Sequence, residues 1–210
     1  MKKLIVIAQP SSKWFTHKIL KTYRKTSEFY WDKVQVIDLY KKRNYQPYLE
    51  FEDMKVLGKD PNREKMQKKI KWADEIVFIF PIWWGNMPAI LKNFIDTNFG
   101  AWFAYKFQKW TPVPKKLLKW KKAKIFTTCD WYAIIYNNMF CPMYLEQYLS
   151  MYILWVFWIE VTDFTLISKM RKKSNEEKDE ILKKIELDLK AENIQSWFKK
   201  IINKILKKWD

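Results

Sequence analysis

Three stretches of this 210-residue chain carry side chains whose types and spacing could do chemistry. The first, Gln9-Pro10-Ser11-Ser12-Lys13-Trp14-Phe15-Thr16-His17, sets hydroxyls and a lysine beside what reads as a helix start. The free N–H groups of such a start suit an anion such as phosphate. The stretch matches neither GxGxxG nor GxxxxGK[ST], so an ordinary capped helix explains it equally well. The second, Phe80-Pro81-Ile82-Trp83-Trp84-Gly85-Asn86-Met87-Pro88, places two adjacent indoles next to Gly85 and Asn86. Aromatic surface beside exposed backbone N–H groups suits a flat heteroaromatic ring whose edge carries carbonyl oxygens. For the two tryptophans alone, core packing is the commoner explanation. The third, Thr127-Thr128-Cys129-Asp130, adds polar groups after another apolar run.

These stretches need elements that hold them together. Short apolar runs at residues 3–8, 34–39, 75–80, 123–128 and 161–167 read as strands, the first rich enough in β-branched residues to be buried on both faces. Helical patterns fall at 15–30, 62–72, 88–98 and 142–157. Strands alternating with helices imply right-handed crossovers and a parallel sheet covered on both sides. Ligands of such sheets bind outside the carboxyl ends of the strands, where the strand order reverses. Each of the three stretches follows a strand. A last helix starts at Ser174, whose spacing to Glu177 is that of a capping box, with Glu176 and Asp179 in its first turn. From Ile194 through Trp197, Phe198, Ile201, Ile202, Ile205, Leu206 and Trp209, apolar residues recur at three- and four-residue steps between lysines. This amphipathic end is expected to pack on the sheet or on a second subunit rather than on a membrane surface.

Composition narrows the function. The 49% hydrophobic content excludes a disordered chain, and one domain spanning 1–210 accounts for the length, its last helix covering about 174–208. The formal charge of +17 would suit nucleic acid, but only Arg24, Arg43, Arg63 and Arg171 offer the guanidinium fork and the lysines are dispersed, so no nucleic-acid partner is expected. Cys129 and Cys141 are not a CxxC pair, and His17 is the sole histidine. No metal site and no Ser/His or Cys/His pair is expected. The apolar run at residues 4–8 is too short for a secretion signal, and that at 151–159 too short to span a bilayer. The expected location is the cytoplasm.

The segment order resembles the flavodoxin-like NAD(P)H:quinone oxidoreductases, the family of DT-diaphorase and its small bacterial relatives. The match lies in Phe80-Pro81-Ile82-Trp83-Trp84-Gly85-Asn86-Met87-Pro88-Ala89-Ile90-Leu91-Lys92-Asn93-Phe94-Ile95-Asp96 and in Phe103-Ala104-Tyr105. Pro10, Ser11, Ser12, Phe15 and Thr16 after the first strand support it, as do Leu117-Leu118-Lys119. The resemblance implies an α/β three-layer sandwich whose five-stranded parallel sheet has the order 2-1-3-4-5. It implies a flavin, FMN or FAD, reduced by NAD(P)H and oxidised by a quinone or similar small acceptor, azo and nitro compounds included, usually in a homodimer. The phosphate tail would meet Gln9, Ser11, Ser12, Phe15 and Thr16, and the ring edge Pro81, Ile82, Trp83, Trp84, Gly85 and Asn86. Thr128, Cys129 and Asp130 would close the other side. Cys129-Asp130 stand where DT-diaphorase has glycines, and no histidine follows, which leaves Tyr132 and Tyr136 as the nearest proton relays. A second reading is a flavin- or nucleotide-binding regulatory subunit of a membrane transporter, of the potassium-efflux ancillary type, docking through the basic last helix.

Glycine and tryptophan are out of balance. A glycine share of about 7% predicts roughly fifteen, yet there are 3, against 13 tryptophans. Trp31 lies where a helix C-cap with positive φ is expected, and Trp110, Trp120 and Trp158 in turns. In the family these positions, with Trp14 and Trp102, often hold glycine, and Trp131 falls beside the expected ring, whereas Trp83 and Trp84 fit family aromatics. Two explanations stand: a source organism that reads UGA as glycine, or a tryptophan-rich relative.

Overall fold

The structure, a computed structural model, describes residues 1–50, 60–118, 120–131 and 144–206. Five strands, β1 (Lys2–Ile7), β2 (Lys33–Asp38), β3 (Glu75–Pro81), β6 (Lys122–Thr128) and β7 (Glu160–Ile167), form a parallel sheet in the order β2-β1-β3-β6-β7. Counting only the strands of this sheet, that is the 2-1-3-4-5 order. The central strands are apolar because neither face meets water: every residue of β3 is buried, and so is β1 from Lys3 onward. Alternate side chains serve two cores, as the two-residue period of a strand requires. Leu4, Val6, Ile76 and Phe78 pack with Met66, Ile70, Leu91 and Phe94, from helices α2 (Pro61–Trp72) and α3 (Ala89–Asn98), and with Leu149. Ile5, Ile7, Val77 and Ile79 pack with Ile19 and Tyr23 of α1 (Phe15–Phe29) and with Ile185 and Leu189 of α5 (Asn175–Leu206). Three layers result.

The residues 99–122, to which no element is assigned from sequence, contain an antiparallel hairpin of β4 (Tyr105–Gln108) and β5 (Thr111–Lys116). Pro112, Pro114 and the lysines hide it, since proline is a poor strand former away from edges and no apolar alternation survives. The helix expected at 142–157 is described as α4 (Tyr144–Gln147) continued by a π-helical stretch, Tyr148–Leu154. The capping box holds. The Glu177 N–H donates to Ser174 Oγ (3.2 Å), and the Ser174 N–H to Glu177 Oε2 (2.8 Å). A hydrogen bond from the Ser174 N–H holds the Glu177 carboxyl below the usual glutamate range, and bonds from its own N–H and the Ser174 hydroxyl do the same for Glu176.

The amphipathic end of this helix does not lie on the sheet, which leaves the second subunit of the expectation. Only its first half packs on the sheet's covering layer, through Ile185 and Leu189, while Ile194, Trp197, Phe198 and Ile202 are exposed. Thirty-two residues extend about 48 Å at 1.5 Å per residue, well past a sheet of strands no longer than eight residues. Trp209 lies outside the described residues.

Two features mark the amino end of the sheet. Lys3, Asp32 and Glu75 are all buried there, with Lys3 Nζ 2.9 Å from Asp32 Oδ2 and 3.8 Å from Glu75 Oε1. The Tyr23 hydroxyl donates to Glu75 Oε1 (2.7 Å), and burial beside that carboxylate raises the phenol well above its ordinary range. The second feature is backbone conformation. Trp31, Trp120 and Trp158, each just before a strand, have φ of 64°, 68° and 60°, and Trp102 has 70°. A side chain held in this region costs about 1–2 kcal/mol. Trp110 and Trp131 do not share it among the described positive-φ residues; Trp110 is exposed in the two-residue β4–β5 connection.

Candidate active site

The carboxyl ends of β1, β3, β6 and β7 open on one cleft of about 380 Å³. Gln9, Phe15 and Thr16 line it from the β1–α1 connection, Pro81, Ile82 and Trp83 from β3, and Thr128, Cys129 and Asp130 from β6. Backbone hydrogen bonds fix the three loops against one another. The Ala8 N–H donates to Ile79 O (2.9 Å), that of Ile82 to Thr128 O (2.8 Å) and that of Cys129 to Ile167 O (2.9 Å).

Two of these residues are buried without partners. Gln9 is 1% exposed, and neither its Nε2 nor its Oε1 has a hydrogen bond; Thr16 Oγ1 is equally isolated. Each orphaned polar group costs about 1–3 kcal/mol, so the wall is built for polar contacts that the described residues do not make. Trp14 is the N-cap of α1 and makes no side-chain cap bond, which leaves first-turn N–H groups beside the cleft.

The remaining expected residues fall outside the wall. Ser12 is exposed, and Ser11 Oγ accepts from the Lys13 N–H (3.4 Å) within its own loop. Trp84 and Gly85, with φ of 51° and 75°, form the tip of a tight turn closed by reciprocal Trp83–Asn86 backbone bonds of 2.8 and 3.0 Å. Left-handed angles at both central positions are those of a type I′ turn, and the N–H groups of Trp84 and Gly85 take part in neither bond. The Asn86 side chain is spent on the Met87 N–H (2.7 Å). The Trp84 ring is fully exposed at the mouth. Tyr132, Tyr136 and Cys141 lie outside the described residues. His17 is buried in the first turn of α1, its N–H donating to Trp14 O (3.0 Å).

Sequence reasoning missed Met170, Arg171 and Lys178, which line the cleft from the β7–α5 connection and the first turn of α5. That segment follows a strand like the other three, and the carboxyl-end rule applied to all strands would have included it. Arg171 is clamped by Asp130: its Nε lies 2.9 Å from Oδ2, and its backbone N–H donates to Oδ1 (3.0 Å). Burial pushes the Cys129 thiol up to about 11, so at neutral pH it is a neutral wall group and not a nucleophile. Among the described residues no cluster of His, Cys, Asp and Glu could hold a metal.

Comparison with known proteins agrees with this geometry. Residues 1–191 match a family model described as having a flavodoxin-like fold. An uncharacterised NAD(P)H oxidoreductase of Haemophilus influenzae is 33% identical over 132 residues, which span 61% of this chain and 64% of that protein. The crystal structure of Smu.1420 from Streptococcus mutans superposes with a TM-score of 0.77 at 32% identity, covering 91% of this chain and all of that one. An FMN-dependent NADH-azoreductase from Bacillus anthracis, solved with FMN, shares the fold at 16% identity and a TM-score of 0.66, over 90% of this chain and 98% of its own. The match over residues 1–191 and the likeness to Smu.1420 place the chain in the flavodoxin-like family, the family that includes the NAD(P)H:quinone oxidoreductases its central block resembles.

Proposed function

We propose that this chain is a flavin-dependent NAD(P)H:quinone oxidoreductase, built as one flavodoxin-like domain and working as a homodimer. The observation that carries the reading is the pairing of an open cleft with orphaned buried groups. Gln9 Nε2 and Oε1 and Thr16 Oγ1 are desolvated at its wall, and a ligand bearing phosphate and ring carbonyls would satisfy them. The residues therefore fit a flavin. When bound, a flavin supplies the two-electron chemistry, taking hydride from NAD(P)H and handing it to the acceptor.

The chain supplies the rest. Thr16, the first-turn N–H groups of α1 and the Lys178 ammonium hold the phosphate end. The backbone of Pro81 to Gly85 meets the polar ring edge, and Trp83 gives the ring an apolar wall. Fixed N–H dipoles there favour negative charge on the ring edge without reorganising during reaction. Thr128, Cys129 and Asp130 close the opposite side, and the Asp130–Arg171 clamp keeps that closure in place. FMN is the flavin in the azoreductase complex, and FMN or FAD is the cofactor proposed here. The exposed Met151, Tyr152 and Trp155 supply apolar surface for a second copy. The acceptor is a quinone or an azo or nitro compound of similar shape.

The test is a fluorescence titration with FMN and FAD, followed by NADH and NADPH oxidation with a quinone acceptor. Stoichiometric flavin binding and acceptor-dependent turnover are expected. A folded chain that binds neither flavin rejects the reading.

A further inference from the structure

Six non-glycine residues among the described ones have a left-handed backbone, and five are tryptophans, although tryptophan supplies 13 of 210 residues. The residues that tolerate this conformation best are asparagine and aspartate, whose short polar groups bond locally. Neither occurs among the six. An indole offers nothing to offset the clash of its Cβ with the backbone.

The five tryptophans divide by place. Trp84 stands at the mouth of the cleft, where held backbone strain belongs to a working site. Trp31 occupies the residue after the C-cap of α1 in a complete Schellman motif, and Trp158 the matching place in the turn that follows the π-helical stretch. At the first, the Trp31 N–H donates to Glu28 O (3.0 Å) and that of Asp32 to Ser27 O (3.0 Å). At the second, the Trp158 N–H donates to Trp155 O (2.8 Å) and that of Ile159 to Leu154 O (3.0 Å). That position is the one glycine usually fills. Trp102 and Trp120 sit in connections, the first tied to Tyr105 O (2.7 Å). None of these four lines the cleft.

We propose that positions 31, 102, 120 and 158 are glycine in the polypeptide made by the source cell, whose ribosomes read UGA as glycine, and that Trp84 is a true tryptophan. The second half rests on the flavin reading; the first does not. The exposed indoles of Trp31 and Trp120 fit it, since they bury almost nothing. Trp14 extends the pattern into the site. It is an N-cap with no capping side chain, a position glycine accepts and tryptophan does not serve, and its loss would open the phosphate end of the cleft.

Tandem mass spectrometry of the polypeptide from its own cells, read beside the gene's codons, decides. Glycine encoded by UGA is expected at the four positions and tryptophan encoded by UGG at 84. Tryptophan at any of the four overturns the proposal there, and glycine at 84 overturns its second half alone. A second measurement compares the purified chain with its W31G/W102G/W120G/W158G variant. The variant's melting midpoint should rise by about 6 °C or more; an unchanged or lower midpoint argues against the four. W84G should weaken flavin binding about tenfold, since the indole at the mouth is then lost as a cover for the bound ring. Peptide masses and melting are read without flavin, so failure of the flavin reading leaves them standing.

Discussion

The two ends of one sheet bury polar groups in opposite ways. At the amino end Lys3, Asp32, Glu75 and Tyr23 satisfy one another within hydrogen-bonding or ion-pair distance. At the carboxyl end Gln9, Thr16 and Thr127 are as deeply buried and have no partners. Both arrangements desolvate polar atoms, and only the first recovers that cost inside the chain. The amino end is therefore closed for stability, and the carboxyl end is left open for something else to complete.

The sharpest way to break this contrast is at the closed end. Lys3→Met leaves Glu75 buried without its cation and Asp32 with only the amino-terminal ammonium, and should cost about 3–5 kcal/mol in urea unfolding. Flavin affinity of the molecules that remain folded should not change, because the cluster lies at the far end of β1 from the cleft. Weakened flavin binding in that variant would show the two ends to be coupled.

At the open end the expected sign is reversed. Gln9→Leu removes two orphaned groups, so the flavin-free protein should gain about 1–3 kcal/mol. Its flavin dissociation constant should rise at least about tenfold, since a ring or phosphate contact goes with the amide. A variant less stable than the parent would mean that the Gln9 amide is satisfied after all, and the contrast between the ends would dissolve.

Much of this was legible in the sequence, and the remainder shows what sequence lacks. The buried strands announced themselves as apolar runs, and Ser174 with Glu177 gave the start of α5 outright. The loop after β3 could be read because two indoles beside a glycine form a rare combination with a chemical meaning. Lys178 could not, since one lysine in a chain with 40 Lys and Arg carries no mark of its position. Gln9 was picked out, but that its amide is buried and alone is a fact of packing. The fit of Trp31 to a Schellman position was visible beforehand because α1 ends and β2 begins within a few residues.

A smaller effect tests how α5 serves the open end. Ser174→Ala removes one half of the capping box and should cost about 1 kcal/mol. Lys178 sits one turn on and lines the cleft, so a frayed start should also weaken flavin binding about twofold to threefold, read by the same titration. Unfolding that shifts while flavin affinity stays fixed would remove Lys178 from the phosphate end.

The smallest effect at neutral pH is expected at Cys129. Its thiol is held at about 11 against an ordinary 9.0, chiefly by burial. Between those values the folded chain keeps a proton that the unfolded chain releases, so stability is full below pH 9 and falls as pH rises toward about 11. Cys129→Ala should flatten that fall and leave pH 7 stability nearly as it was. Tyr23 at the closed end and Tyr40 after β2 are also raised, so part of the alkaline loss should survive in Cys129→Ala. Alkylation reports the same environment directly: it should be slow at pH 7.5 and slower still once flavin covers the wall. Rapid modification at neutral pH would mean that the thiol is exposed and ionised, and that the wall around it is not closed as the burial of Cys129 implies.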